Sequence, residues 1–199
     1  PEQKEFTLTA EDDTVAVVYE DVAYHNERQK IQITAEKKDA VSGEALEGVI
    51  FGLYAGEALT DAKGNVLVEK DTLIETKATG EDGTVTFDSD LIHGKYYVKE
   101  EQRLPGYLPN EEIWEIDASY ENQNDTVIIL EKEVENQPTE THFTKTDIVT
   151  GEPVVGATLQ ILDEEGNVIR EWVTTTEEHI EYALPEGNYV LHEETAPNA

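Results

Sequence analysis

The 199-residue chain contains no cysteine, so neither a disulfide nor a thiolate metal site is open to it. A small extracellular domain without disulfides needs another staple. Basic residues are scarce: 14 Lys and Arg stand against 45 Asp and Glu, a formal net charge of −31. Nucleic-acid binding needs clustered Lys and Arg against phosphates, and an anionic membrane surface attracts the same clusters, so both partners are excluded. The acidic excess implies solubility and repulsion between neighbouring molecules. No apolar run is long enough to insert in a membrane and no signal peptide opens the chain, which therefore reads as an internal fragment of a longer protein. No amphipathic helical period is found either. What remains is a chain of Thr-, Val-, Ile- and Tyr-rich runs separated by Gly, Asp, Asn and Pro, the pattern of an all-β sandwich or barrel.

Residues 5–10 and 14–24 read as strands, and two strands alone cannot bury a face stably. Residues 30–37 alternate strictly, with Ile31, Ile33, Ala35 and Lys37 on one face and Gln32, Thr34 and Glu36 on the other. Lys37 thus falls on the apolar face and Lys38 on the polar one. Further strands are predicted at 48–54, 66–69, 72–78, 84–88, 94–101, 112–117 and 126–136, with turns at 61–65 and 80–83 and a break at Pro105-Gly106-Tyr107. A second series follows at 156–162, 168–174, 178–183 and 187–193.

The chain repeats itself. Lys37-Lys-Asp-Ala-Val-Ser-Gly-Glu44 returns as Lys145-Thr-Asp-Ile-Val-Thr-Gly-Glu152. Gly48 and Gly156 lie equally far beyond the two turns, and the Gly94–Glu100 stretch matches Gly187–Glu193. Asp13-Thr14-Val15, Val22 and Asn26 resemble Asp125-Thr126-Val127, Val134 and Asn136. Residues 30–137 are therefore expected to form one complete module. Residues 138–199 would be a module without its last two strands, and residues 1–29 the last two strands of a preceding one.

These motifs resemble the collagen-adhesin B-type (Cna B) repeat, also called the prealbumin-like or SpaA-type domain of Gram-positive surface adhesins and pilins. The matching pieces are Lys-x-Asp-x-x-[Ser/Thr]-Gly, the Gly-containing strand after it, Tyr-x-[Val/Leu]-x-Glu, and an Asn closing the last strand before Pro. The resemblance implies tandem inverse-transthyretin, immunoglobulin-like β-sandwiches, often with an autocatalytic isopeptide bond from a Lys on the first strand to an Asn on the last, assisted by a buried acid. Carried over, Lys37 is the nucleophile, Asn136 the electrophile and Glu100 the acid. Lys145 and Glu193 are their counterparts in the second copy, and Asn26 is the counterpart of Asn136 in the first fragment. Pro105 is followed directly by Gly106, where the family pattern has a residue between. Counting back from Tyr107 selects Glu100 and counting back from Pro105 selects Glu101; the internal repeat favours Glu100.

The chemistry requires these residue types. A lysine in water is protonated, with a reference pKa of about 10.4, and does not attack. Burial favours the neutral amine and keeps a glutamic acid protonated, able to polarise the carboxamide. The reaction turns over once, so the chain is not an enzyme in the usual sense, and no cofactor is expected. The resemblance further implies a structural stalk on the cell wall of a Gram-positive bacterium, whose partners are neighbouring modules of the same chain. An alternative is a module that binds host matrix protein or glycan through Trp114, Trp172 and the tyrosines. Residues 1–29 could also supply the missing strands to 138–199, within one molecule or between two, so that Asn26 bonds Lys145. Each residue has a plainer reading too: Lys37 as a strand-end lysine lying over the core, Asn136 as a turn residue, Glu100 as a solvated charge. The five histidines, His25, His93, His142, His179 and His192, lack metal-ligand spacing, and the acidic turns match no EF-hand loop.

Overall fold

The computed structural model describes residues 29–119 and 126–197. The strands expected at 5–10 and 14–24, and Asn26 with them, lie outside the described residues. Those described are all β, with no helix among them. The strands are β1 (Lys30–Asp39), β2 (Ile50–Ala55), β3 (Leu59–Thr60), β4 (Val66–Val68), β5 (Leu73–Ala78), β6 (Thr84–Phe87), β7 (Gly94–Gln102), β8 (Ile113–Ala118) and β9 (Val127–Asn136), then β10 (Glu140–Phe143), β11 (Thr158–Leu162), β12 (Val168–Val173), β13 (His179–Tyr182) and β14 (Val190–Thr195).

One sheet has the order β6-β1-β9 and a second the order β5-β2-β7-β8, while β3 and β4 form a small hairpin. β1 runs antiparallel to β6 and parallel to β9, with Lys30 opposite Val127 and Asp39 opposite Asn136. Every second residue of β1 from Ile31 to Asp39 is buried, as a half-buried strand of period two requires. The inner faces of the two sheets meet in one core. Ile31, Ile33 and Ala35 of β1 and Val85 and Phe87 of β6 face Phe51 and Leu53 of β2, Tyr96 and Val98 of β7 and Ile116 of β8. This is sheet-on-sheet packing with interdigitated side chains.

The second set of strands makes a sheet of order β12-β11-β14 and a pair β10-β13. Its local chemistry copies the first. Gly48 N–H donates to Thr79 O at 2.9 Å and Val49 N–H to Thr79 Oγ1 at 3.0 Å. Gly156 and Ala157 donate to Thr174 in the same way at 2.9 and 3.0 Å. Phe51 pairs with Glu100 across β2 and β7, and Leu159 pairs with Glu193 across β11 and β14. The last strand starts at Val190, three residues later than the sequence pattern suggests, because 185–189 is held as a loop. There the Tyr189 hydroxyl donates to Pro185 O at 2.8 Å and Asn188 Nδ2 to Glu164 Oε1 at 2.7 Å.

The two bodies meet at a short junction. Tyr107 and Pro138 form a bridge, Leu108 N–H donates to Gln137 O at 2.9 Å, and Thr139 N–H donates to Gly106 O at 2.8 Å. Gly106 has φ +87°, and a Cβ there would stand 2.3 Å from Ala183 O, so only glycine permits this approach.

Candidate crosslinking site

The repeated motif folds the same way twice. Asp39 Oδ1 accepts the N–H groups of Val41 and Ser42, both at 2.8 Å, and Asp147 Oδ1 accepts those of Val149 and Thr150 at 2.9 and 2.8 Å. The motif aspartate therefore closes the turn that follows the lysine, as Asx turns do. Asp39 has a further partner, the Tyr107 hydroxyl, which donates to Oδ2 at 2.8 Å. Burial works to raise the Asp39 pKa, but the hydrogen bonds from Ser42, Tyr107 and Val41 outweigh it and hold the group below the usual carboxylate range. Burial and then the Asp39 contact push the Tyr107 hydroxyl up. The sequence singles out Pro-Gly-Tyr as a motif but gives no sign that Tyr107 reaches back to Asp39.

Lys37 sits in the middle of its strand's hydrogen-bonding frame. Its N–H donates to Gly83 O at 2.8 Å and its carbonyl accepts Leu46 N–H at 2.9 Å. Gly83 permits this contact, since a Cβ there would lie 2.6 Å from Lys37 O. The side chain points inward and is completely buried, with Nζ 5.6 Å from the centroid of the Phe51 ring. Glu100 approaches from β7 and Asn136 from the end of β9. Lys37 Nζ stands 3.1 Å from Glu100 Oε2, with side-chain exposures of 0% and 4%. Asn136 is 1% exposed, and its Nδ2 donates to Glu100 Oε1 at 3.1 Å and Oε2 at 3.0 Å. One carboxylate oxygen thus touches both the amine and the carboxamide. Phe51, Val98, Trp114 and Val134 line a narrow cleft against Glu100.

Two polar atoms in this cluster, Lys37 Nζ and Asn136 Oδ1, are buried without a hydrogen-bond partner. The contact of the amine with Glu100 is an ion pair. Burying unpaired polar groups is costly, and their coincidence at one point calls for an explanation. Burial lowers the Lys37 pKa, opposed in part by the charge and proximity of Glu100. That shift favours the neutral, nucleophilic amine.

Glu101, the other acid that counting allows, lies elsewhere. It accepts the Tyr54 hydroxyl at 2.6 Å and pairs with Lys99 at 3.2 Å. In the second copy Lys145 Nζ donates to Glu193 Oε2 at 2.8 Å, but the side chains are 27% and 37% exposed. The two tryptophans are in different bodies. Trp114 packs against the core of the first, and Trp172 stacks on His179 at 4.2 Å in the second. Among the described residues no group of His, Asp and Glu is placed to hold a metal ion. The acidic turn at Asp61 is closed by its own hydrogen bonds, with Lys63 N–H, Asn65 N–H and Asn65 Nδ2 all donating to the Asp61 carboxylate.

The profile of the family described as SpaA, prealbumin-like fold domain, matches residues 31–133 and 139–199. The chain belongs to the SpaA prealbumin-like family. Curated proteins give no match. Among solved structures, the SpaA-type chain is similar to the Bacillus anthracis TIE protein, at 24% identity and TM-score 0.51, covering 86% of this chain and 29% of that one. It is also similar to a streptococcal ancillary pilin, at 21% identity and TM-score 0.42, over 86% of this chain and 55% of that one. A group B streptococcus pilus 2b backbone protein matches at 27% identity and TM-score 0.41, over 56% of this chain and 42% of that one. The SpaA-type chain therefore spans well under two thirds of the length of each of these proteins. The likeness concerns the fold. No helix of the described residues is long and apolar enough to cross a membrane.

Proposed function

We propose that this chain is a stalk segment of a Gram-positive cell-surface pilin or adhesin, stiffened by an isopeptide bond between Lys37 and Asn136. The observation that carries the reading is the buried amine and carboxamide sharing one carboxylate oxygen of Glu100, each with an unmet polar atom. Residues 30–137 act as a complete module, 138–199 as a module lacking its last two strands, and 1–29 as the last two strands of a preceding one. Family membership supports a structural role on the bacterial surface, within a longer protein anchored to the cell wall.

In this reading the neutral Lys37 amine attacks Cγ of Asn136. Glu100, which touches both groups, relays a proton from Nζ to the departing Nδ2. A C–N bond forms, a C–N bond breaks, and ammonia leaves. The fold holds the reactants in contact, so proximity supplies much of the rate. Intact mass tests the reading. The folded chain is expected to be lighter than its sequence by one ammonia for this bond, and Lys37→Ala and Glu100→Ala are each expected to restore that ammonia. A full-length folded protein of unmodified mass overturns the crosslink.

A further inference from the structure

The sheet β5-β2-β7-β8 has a second face, turned away from the core, and a groove runs over it. Strand register builds the floor. Lys95, Tyr97 and Lys99 alternate along the outer side of β7, opposite Asp117, Glu115 and Ile113 of β8. One wall is the turn at Lys70-Asp71, tied to the end of β2 by Asp71 N–H, which donates to Ala55 O at 2.8 Å. Asp71 holds φ +64°, in the left-handed region that a non-glycine residue occupies at a cost and keeps only where its surroundings fix it. Gly56 brings this wall against β7. Its N–H donates to Lys95 O at 2.8 Å, and a Cβ there would stand 3.1 Å from the Lys95 carbonyl carbon. The groove has a volume of about 760 Å³, in the range of small-molecule sites. None of Lys37, Glu100 and Asn136 lines it, and neither tryptophan does.

Tyr97 is braced before any ligand arrives. Its ring stacks on Tyr54, with centroids 4.9 Å apart and planes 2° from parallel. Tyr54 is fixed in turn, since its hydroxyl is held by Glu101 and Lys99 Nζ lies 4.9 Å from its ring centroid. Gly52 leaves it room, because a Cβ there would stand 2.8 Å from Tyr54 Cε2. Filling the space over a mid-strand glycine is reason enough for Tyr54, but it explains neither the wall nor the charges around Tyr97. Tyr54 does not line the groove and β8 does, so the groove meets the face of Tyr97 turned away from Tyr54. A ring ordered in advance lowers the entropic cost of binding.

The rim carries both signs equally. Ammonium groups of Lys70, Lys95 and Lys99 stand among carboxylates of Asp71, Glu115 and Asp117, in a chain where 45 acids face 14 bases. A ligand of either charge meets as much repulsion as attraction, whereas one rich in hydroxyls finds acceptors and donors side by side. The backbone groups of β7 are spent in ladders to β2 and β8, so an added peptide strand finds none to pair with. The C–H face of a sugar ring suits the electron-rich face of Tyr97 and the exposed Ile113 beside it. We propose that this groove binds a short uncharged oligosaccharide, with one sugar ring on Tyr97 and its hydroxyls shared between the carboxylates and the ammonium groups. The site goes beyond the stalk reading and does not depend on the crosslink.

The test exposes an array of immobilised neutral, sialylated and sulfated oligosaccharides and unstructured peptides to the labelled full-length chain. Binding to neutral oligosaccharides is expected, and added salt is expected to leave it unchanged because no ion pair forms with the ligand. Glu115→Gln and Ile113→Arg alter exposed side chains, so the thermal midpoint should hold while the signal falls about tenfold, the loss of one charged hydrogen bond or of access to the ring. Tyr97→Ala is expected to abolish binding, and Tyr97→Phe, which keeps the ring, to restore it. A folded chain that binds no neutral oligosaccharide overturns the proposal. Binding confined to the charged sugars or to the peptides overturns it too, as does neutral-sugar binding that survives both Tyr97→Ala and Ile113→Arg.

Discussion

Lys37 and Lys145 share a motif, a turn and a carboxylate neighbour, yet one amine is sealed in the core and the other is 27% exposed. The two copies agree in the Asx turn after the lysine and in the threonine that closes the following strand. Among the described residues they differ in their neighbours: β8 and β9 flank β7 and β1 of the first copy. The burial of Lys37 therefore does not come from its own strand alone. It comes also from β8 and β9, which cover the site and bring the amide with them.

The comparison can be broken most severely at Asn136. Asn136→Ala should remove the proposed bond, which closes a loop of roughly 100 residues, a loss of about 4–5 kcal/mol by analogy with disulfide closure. A large fall in the thermal midpoint with mass restored by one ammonia is the expected result; an unchanged midpoint contradicts it. The same variant leaves an unreacted Lys37 whose folded-state pKa is depressed by burial. A depressed lysine pKa means that the unfolded state binds the proton more tightly. The penalty is full below the folded value, shrinks as pH rises, and vanishes above the ordinary 10.5. Urea titrations of Asn136→Ala should therefore show stability rising as pH approaches that value from below. Tyr107→Phe removes the hydroxyl from Asp39 and should cost about 1–2 kcal/mol, measured by the same titration. At the small end, Lys145→Ala in an Asn26→Ala background should change stability by about 0–1 kcal/mol, the range of a solvated ion pair. A loss at Lys145 equal to that at Asn136 would erase the distinction between the copies.

Strand alternation was enough to place Lys37, and not Lys38, on the inner face, because period two leaves no other choice once Ile31 and Ile33 are inside. The repeat likewise located the strands after Gly48 and Gly156 and aligned Glu100 with Glu193. The parallel pairing of β1 with β9 carries no such local mark, since its partners are about a hundred residues apart in sequence and meet only through the whole sandwich. β3, only Leu59–Thr60, is too short to alternate. The role of Thr79 and Thr174 in tying the starts of β2 and β11 in place depends on hydroxyl geometry, which strand alternation does not carry. The contact of Tyr107 with Asp39 spans a distance in sequence that no spacing rule covers.

The parallel register of β1 and β9 has a mechanical meaning. The chain enters the first body at Lys30 and leaves it at Asn136, at opposite ends of two adjacent strands that run the same way. Pulling on those points slides one strand along the other and strains the whole ladder of rungs together, where an antiparallel hairpin would peel open one rung at a time. A bond from Lys37 to Asn136 would sit at the far end of that slide and stop it before the first rung yields.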